Sequence, residues 1–136
     1  MEDHLKTFNE NTPGKTMQFF NLKYIEIKNE EIIFSCQFTE TCTNPRGFVQ
    51  GGMITAVLDD ATSTSMISGY ERKKAPLTTD LHMLFHRPLE IGTASIKVKI
   101  IKLGNRSATS EGRLYNHQDK LVATLLHTAQ PVDIPN

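Results

Sequence analysis

Asn44-Pro45-Arg46-Gly47-Phe48-Val49-Gln50-Gly51-Gly52-Met53-Ile54-Thr55-Ala56-Val57-Leu58-Asp59-Asp60 is a polar, glycine-bearing loop that opens into an apolar helix. From Gly51 to about Ser68 the apolar residues Met53, Ile54, Val57, Leu58, Ala61 and Met66 recur at helical spacing. Gly69 is placed to end that helix. Bare glycines at a helix start leave N–H groups free, at the positive end of the helix dipole. Such a start can hold an oxygen that carries negative charge. Asp59 lies two turns into the apolar run, where a carboxylate calls for a reason, and chemistry is a common one. Thr62-Ser63-Thr64-Ser65 are poor helix formers, so the helix that contains them is expected to be wrapped by other structure.

Around the helix the chain reads mainly as strand. A short helix is expected over His4 to Asn11, ended by Thr12-Pro13-Gly14. Strand pattern is read from Met17 to Thr39, as a hairpin turning at Lys28-Asn29-Glu30-Glu31. After the central helix come Pro76 to Pro88, Thr93 to Leu103, Arg106 to Tyr115 and Leu121 to Gln130, the last three joined by tight turns. Strands outnumber helices, which implies an α+β architecture with an antiparallel sheet. The 136 residues suit one domain over 1–136, with 1–14 as an N-terminal helical extension.

Composition narrows the partners. Lys+Arg equals Asp+Glu, each 15, so the chain lacks the basic excess that nucleic acid demands. It has no apolar run of about 18 residues, the length that spans a membrane. Met1-Glu2-Asp3-His4-Leu5-Lys6 is acidic and polar, unlike a secretory signal, and Cys36 and Cys42 form no CxxC. A cytosolic protein with free thiols is expected. His82 and His86 would share a strand face but lie about 13 Å apart, too far to share an ion. With no other ligand set nearby, neither a metal nor a cofactor is expected. No GxSxG elbow is present.

The order hairpin, loop, long central helix and four-strand meander is the layout of the hotdog fold. The chain resembles the small acyl-CoA thioesterases of the phenylacetate-degradation (PaaI-like) type, which include thioesterase superfamily member 2. Members carry Asn, a Gly-containing spacer, His-Gly-Gly, and a catalytic Asp or Glu nine residues after the His; Asn44, Gly47, Gln50-Gly51-Gly52 and Asp59 stand at that spacing here. Thr78 and Pro88 resemble the family's Ser or Thr near the start of the third strand and the Pro at its end. The resemblance covers roughly Phe20 to Gln130. It implies hydrolysis of acyl- or aryl-CoA thioesters, with Asp59 as nucleophile or general base and Thr78 orienting a water. Arg87, Lys102 and Arg106 stand where family members often meet the nucleotide of CoA; a solvated surface charge is the plainer reading of each. Gln50 replaces the usual His, and it can position but not titrate near neutral pH.

The bland alternatives are specific. Gly51 and Gly52 can serve tight packing alone. Asn44 can simply hold its loop. Thr78 can be an ordinary strand residue, and Asp60 a solvated or capping carboxylate. Two other functions compete. One is a hotdog enoyl hydratase or dehydratase, disfavoured by Gln50. The other is a non-catalytic binder of acyl-CoA or acyl-carrier protein.

Distance adds a further expectation. Gly51 and Asp59 are eight residues apart, roughly 12 Å along a helix, whereas reacting atoms meet at about 3.5 Å. Two chains with antiparallel helices would bring the helix start of one to Asp59 of the other. A homodimer with shared sites is therefore expected, and the family resemblance adds a dimer of dimers.

Overall fold

The computed structural model describes the chain up to Pro135. Three helices, α1 (Glu2–Glu10), α2 (Lys15–Phe19) and α3 (Gly51–Gly69), accompany six strands. The strands are β1 (Lys23–Lys28), β2 (Glu31–Phe38), β3 (Lys74–Phe85), β4 (Gly92–Leu103), β5 (Ala108–Tyr115) and β6 (Leu121–Asp133). They form one antiparallel sheet in the order β1-β2-β4-β5-β6-β3. The α+β reading holds, with the sheet wrapped around α3.

Two local expectations need correction. The stretch from Met17 is not yet strand: Lys15–Phe19 is the helix α2, closed where Leu22 N–H reaches Met17 O and Asn21 turns to φ 49°. Its aromatic run misled because Phe20 is buried by the turn after the helix and not by a pleat. The four later strands are not a simple meander. β4, β5 and β6 follow one another, but β3 lies beyond β6 at the sheet edge and β2 pairs with β4. Gly69 is the last residue of α3, as the sequence reading expects, and Glu71 and Arg72, with φ of 54° and 63°, turn the chain after it.

The β1–β2 hairpin turns on Asn29 and Glu30, both at positive φ (53° and 63°), the backbone that matches the twist of a tight hairpin. β5 alternates strictly between buried and partly exposed residues, so one sheet face meets the core and the other meets solvent. The core lies between that inner face and α3. Phe34, Ile96, Val98, Leu114 and Leu125 of the sheet pack with Ile54, Val57, Leu58 and Ala61 of the helix.

α3 sits close enough to the sheet that side chains there must be small. A Cβ on Gly112 of β5 would come within 3.0 Å of Thr62 Cγ2 and 3.1 Å of Leu58 Cδ2. The hydroxyl-bearing residues of α3 survive this burial by bonding to their own helix. Thr62 Oγ1 donates to Leu58 O at 2.8 Å and Ser65 Oγ to Ala61 O at 2.8 Å. That local satisfaction is why a segment of poor helix formers can be a buried helix.

Gly112→Val is expected to lower the free energy of unfolding by about 1–3 kcal/mol, through overpacking against Leu58 and Thr62, even though valine favours strands. Urea denaturation checks this; an unchanged midpoint would mean that α3 can retreat without cost.

Candidate active site

Two polar centres flank α3. The first is the helix start. Gln50 is the N-cap residue, and its carbonyl accepts from the N–H groups of Met53 and Ile54 at 3.0 and 3.2 Å. The N–H groups of Gly51 and Gly52 donate to no acceptor among the described residues. The chemistry expected of a bare helix start is thus available in the backbone. Gly51 has a packing reason as well, since a Cβ there would lie 3.2 Å from Phe85 Cζ.

The loop that delivers this start is rigid. Asn44 Oδ1 accepts from Arg46 N–H (3.0 Å) and Phe48 N–H (3.2 Å). Its side chain is therefore engaged in holding the loop. Val49 N–H bonds Leu89 O and Gln50 N–H bonds Cys42 O, both at 2.8 Å. Beside the helix start lies a cavity of about 390 Å³, lined among others by Asn44, Arg46, Phe48, Gly51, Phe85 and Arg87. Arg46 was not singled out in the sequence, yet it shares this cavity with Arg87. Lys102 and Arg106 are elsewhere in the chain. They flank the β4–β5 turn at the opposite end of α3, where Leu103 meets Gly69 and Tyr70 donates to Gly104 O.

The second centre is around Asp59. Its side chain is 39% exposed, less hidden than an apolar helix suggests, and accepts from Ser63 Oγ at 3.2 Å. Asp60 is neither simply solvated nor a cap. It accepts from Thr16 Oγ1 of α2 at 2.6 Å, and burial pushes its carboxyl above the usual range, offset in part by that bond.

The residue absent from the sequence reading is His127. It is completely buried on β6, opposite Ser110 of β5 and Leu81 of β3. Its Nδ1 is 2.7 Å from Thr62 Oγ1 of α3 and 3.8 Å from Asp59 Oδ1. Its Nε2 is 2.8 Å from Thr78 Oγ1 of β3. An irregularity between Thr78 and Asp80 sets the register here, pairing Thr78 with Ala129. One imidazole therefore ties helix and edge strand together beside the acid. Thr62, and not Asp59, occupies the hydrogen-bonding position at Nδ1, so this is not a hydroxyl–imidazole–carboxylate relay. Nothing in the spacing of a lone His near the C-terminus marks it; only the register of β6 against β5 and β3 does.

Sequence comparison supplies the family. The thioesterase superfamily matches residues 46–123, from the loop before α3 into β6. The chain belongs to the thioesterase superfamily. No curated protein sequence matches it significantly. Among solved structures, the Escherichia coli PaaI protein of the phenylacetic acid degradation operon superposes with a TM-score of 0.80 at 16% identity, covering 95% of this chain and 94% of that one. Zebrafish thioesterase superfamily member 2 gives 0.79 at 21%, covering 93% and 96%. A Streptococcus mutans protein bound to acetyl CoA gives 0.76 at 18%, covering 87% and 94%. This thioesterase-superfamily chain has the hotdog fold of these neighbours. Among the described residues, no helix is long and apolar enough to cross a membrane, and no cluster of three or more His, Cys, Asp or Glu could hold a metal.

Burial lowers the His127 pKa from its ordinary 6.5, with Asp59 acting the other way. The folded chain thus favours the neutral ring. Its contribution to stability is present in full above about pH 6.5, where the unfolded chain is neutral too. It is lost as the pH falls below that value, because the unfolded chain takes up the proton first. Denaturation midpoints across pH 7.5 to 5 are expected to fall more steeply (roughly that window) for the parent chain than for His127→Gln. Parallel curves would remove His127 as the cause.

Proposed function

We propose that this chain hydrolyses acyl-CoA or aryl-CoA thioesters to the free acid and CoA. The observation that carries the proposal is the pairing, in one superfamily member, of a helix start with bare amides and an acid beside a hydroxyl anchored by a buried imidazole. The Gly51 and Gly52 N–H groups would hold the carbonyl oxygen as it gains charge. Gln50, at the N-cap, would help position that oxygen. Asp59 would take a proton from a water whose oxygen attacks the carbonyl carbon. The carbon–sulfur bond then breaks, and the CoA thiolate leaves and is reprotonated. Thr78 would orient the water. Direct attack by Asp59, giving an anhydride that water then opens, is the other route to the same products. Asn44, through its grip on the loop, would keep the amides in place.

The site is proposed to be shared between two copies. Three features support this. The helix start and Asp59 are about 12 Å apart on one rigid cylinder. Lys102 and Arg106 lie at the far end of α3 from Arg87 and Arg46, so antiparallel helices would bring all four toward one CoA nucleotide. And β3 is a twelve-residue edge strand with no fully buried residue, carrying Leu77, Leu84 and Phe85 at 57%, 50% and 52% exposure. An edge so long and apolar invites a partner strand. A dimer of dimers stays within the proposal. The buried, free thiols of Cys36 and Cys42 suit a cytosolic setting.

Asp59→Ala is expected to cut acyl-CoA turnover on the order of 10²-fold or more, with retained ligand binding. Unchanged turnover across a panel of short, long and aromatic acyl-CoAs would sink the catalytic assignment. Binding without turnover in the parent chain would favour a non-catalytic module, and hydration of an enoyl-CoA a hydratase. The shared site has its own check. Asp59→Ala and Gly51→Val chains, each impaired alone, should regain activity when refolded together, about a quarter of the parent's, because each mixed pair keeps one intact site. No recovery would place both groups within one chain.

A further inference from the structure

We infer that Thr62 sets the tautomer of His127, and through it the direction in which Thr78 points its hydroxyl proton. Thr62 thereby acts as a positioning residue for the attacking water. The catalytic consequence rests on the hydrolysis proposed above; the tautomer assignment stands on the geometry alone.

Thr62 has one hydroxyl proton and three close neighbours. Leu58 O lies at 2.8 Å, Asp59 O at 3.2 Å and His127 Nδ1 at 2.7 Å. The two carbonyls can only accept. If the proton pointed at Nδ1, the hydroxyl oxygen would face both carbonyl oxygens at these distances with no proton between them. With the proton on Leu58 O, the hydroxyl accepts, and Nδ1 must donate. The Asp59 carboxylate, 3.8 Å from Nδ1, favours a proton at the same nitrogen. Both considerations select the Nδ1–H form. Thr62 and His127 are completely buried, so water cannot take over either role.

The neutral ring then has only a lone pair at Nε2, 2.8 Å from Thr78 Oγ1. Thr78 must donate to it. Its remaining lone pairs are acceptors, and Thr78 is exposed, so a water reaches them. A water that gives one proton to Thr78 and the other to Asp59 is held by both protons and turns its lone pairs toward the carbonyl carbon. In the opposite tautomer Thr78 would be free to donate to that water, which would draw electron density from the attacking oxygen and leave one of its protons without the acceptor that fixes its orientation. The polar chain thus runs Thr78 to His127 to Thr62 to the Leu58 carbonyl, inward from the surface. Its direction is decided at the buried end.

Long-range proton–nitrogen NMR on the ¹⁵N-histidine-labelled chain reads the tautomer directly. The parent should show a neutral His127 with its proton on Nδ1; a proton on Nε2 overturns the inference, whatever the activity. Thr62→Val, which keeps the shape and loses the acceptor, should shift the ring toward Nε2–H and lower kcat on the order of tenfold with KM little changed. Thr62→Ser should restore both. A valine variant with parental kcat and an unshifted ring also overturns it. Should the valine chain fail to fold, Thr62→Ala carries the same two readouts. Failure of the hydrolysis reading is distinguishable: Asp59→Ala would then keep parental turnover while the tautomer result is unaffected.

Discussion

The approach of α3 to β5 and β6 is the constraint on which the rest depends. Gly112 leaves the sheet no side chain where Leu58 and Thr62 come down. Only because the helix sits this low can a threonine hydroxyl reach an imidazole on the sheet. The same closeness buries Thr62 and Ser65, which is tolerable because each hydroxyl gives its proton to its own helix. Packing and polarity are thus one arrangement. A bulkier residue at position 112 would disturb the core and the imidazole together.

A single helix supplies both the amides at its start and the acid two turns later. In the proposed reaction that rigidity would be useful, since neither group would have to be ordered on substrate binding. It also separates them, because a helix advances about 1.5 Å per residue whatever its sequence. The proposed pairing of two copies follows from that rise and from the apolar edge of β3. The sheet order is what leaves β3 at that edge. β6 takes one side of it, and among the described residues no strand takes the other.

The hydrogen-bond network around His127 connects elements that are distant in sequence. Thr62, Thr78 and His127 belong to α3, β3 and β6, and the ring bonds across 65 and 49 positions. Burial lowers the pKa of the ring and so favours its neutral form, and neutrality is what makes its two nitrogens different. A protonated ring would donate at both sides and the direction of the chain would be lost. Arg46 and Arg87 show the same non-local logic at the other centre: a loop and the segment after an edge strand meet around one cavity.

The sequence alone determined the helix from Gly51, the tight turns of the sheet, and the spacing of Gly51 and Asp59. These are local patterns: periodicity, glycine placement and rise per residue act within a few positions. α2 was hidden because Phe19, Phe20 and Leu22 look like a strand to any reading that sees only apolar runs. The place of β3 beside β6 was equally hidden, since strand order is a matter of which edges meet and not of any one strand's composition. Tertiary structure decided the rest. His127 became a member of the site only when β6 took its register against β5 and β3, and Thr62 only when α3 settled onto Gly112. A hydrogen bond needs its two atoms within about 3 Å, and positions so far apart along the chain meet that condition only once the chain has folded.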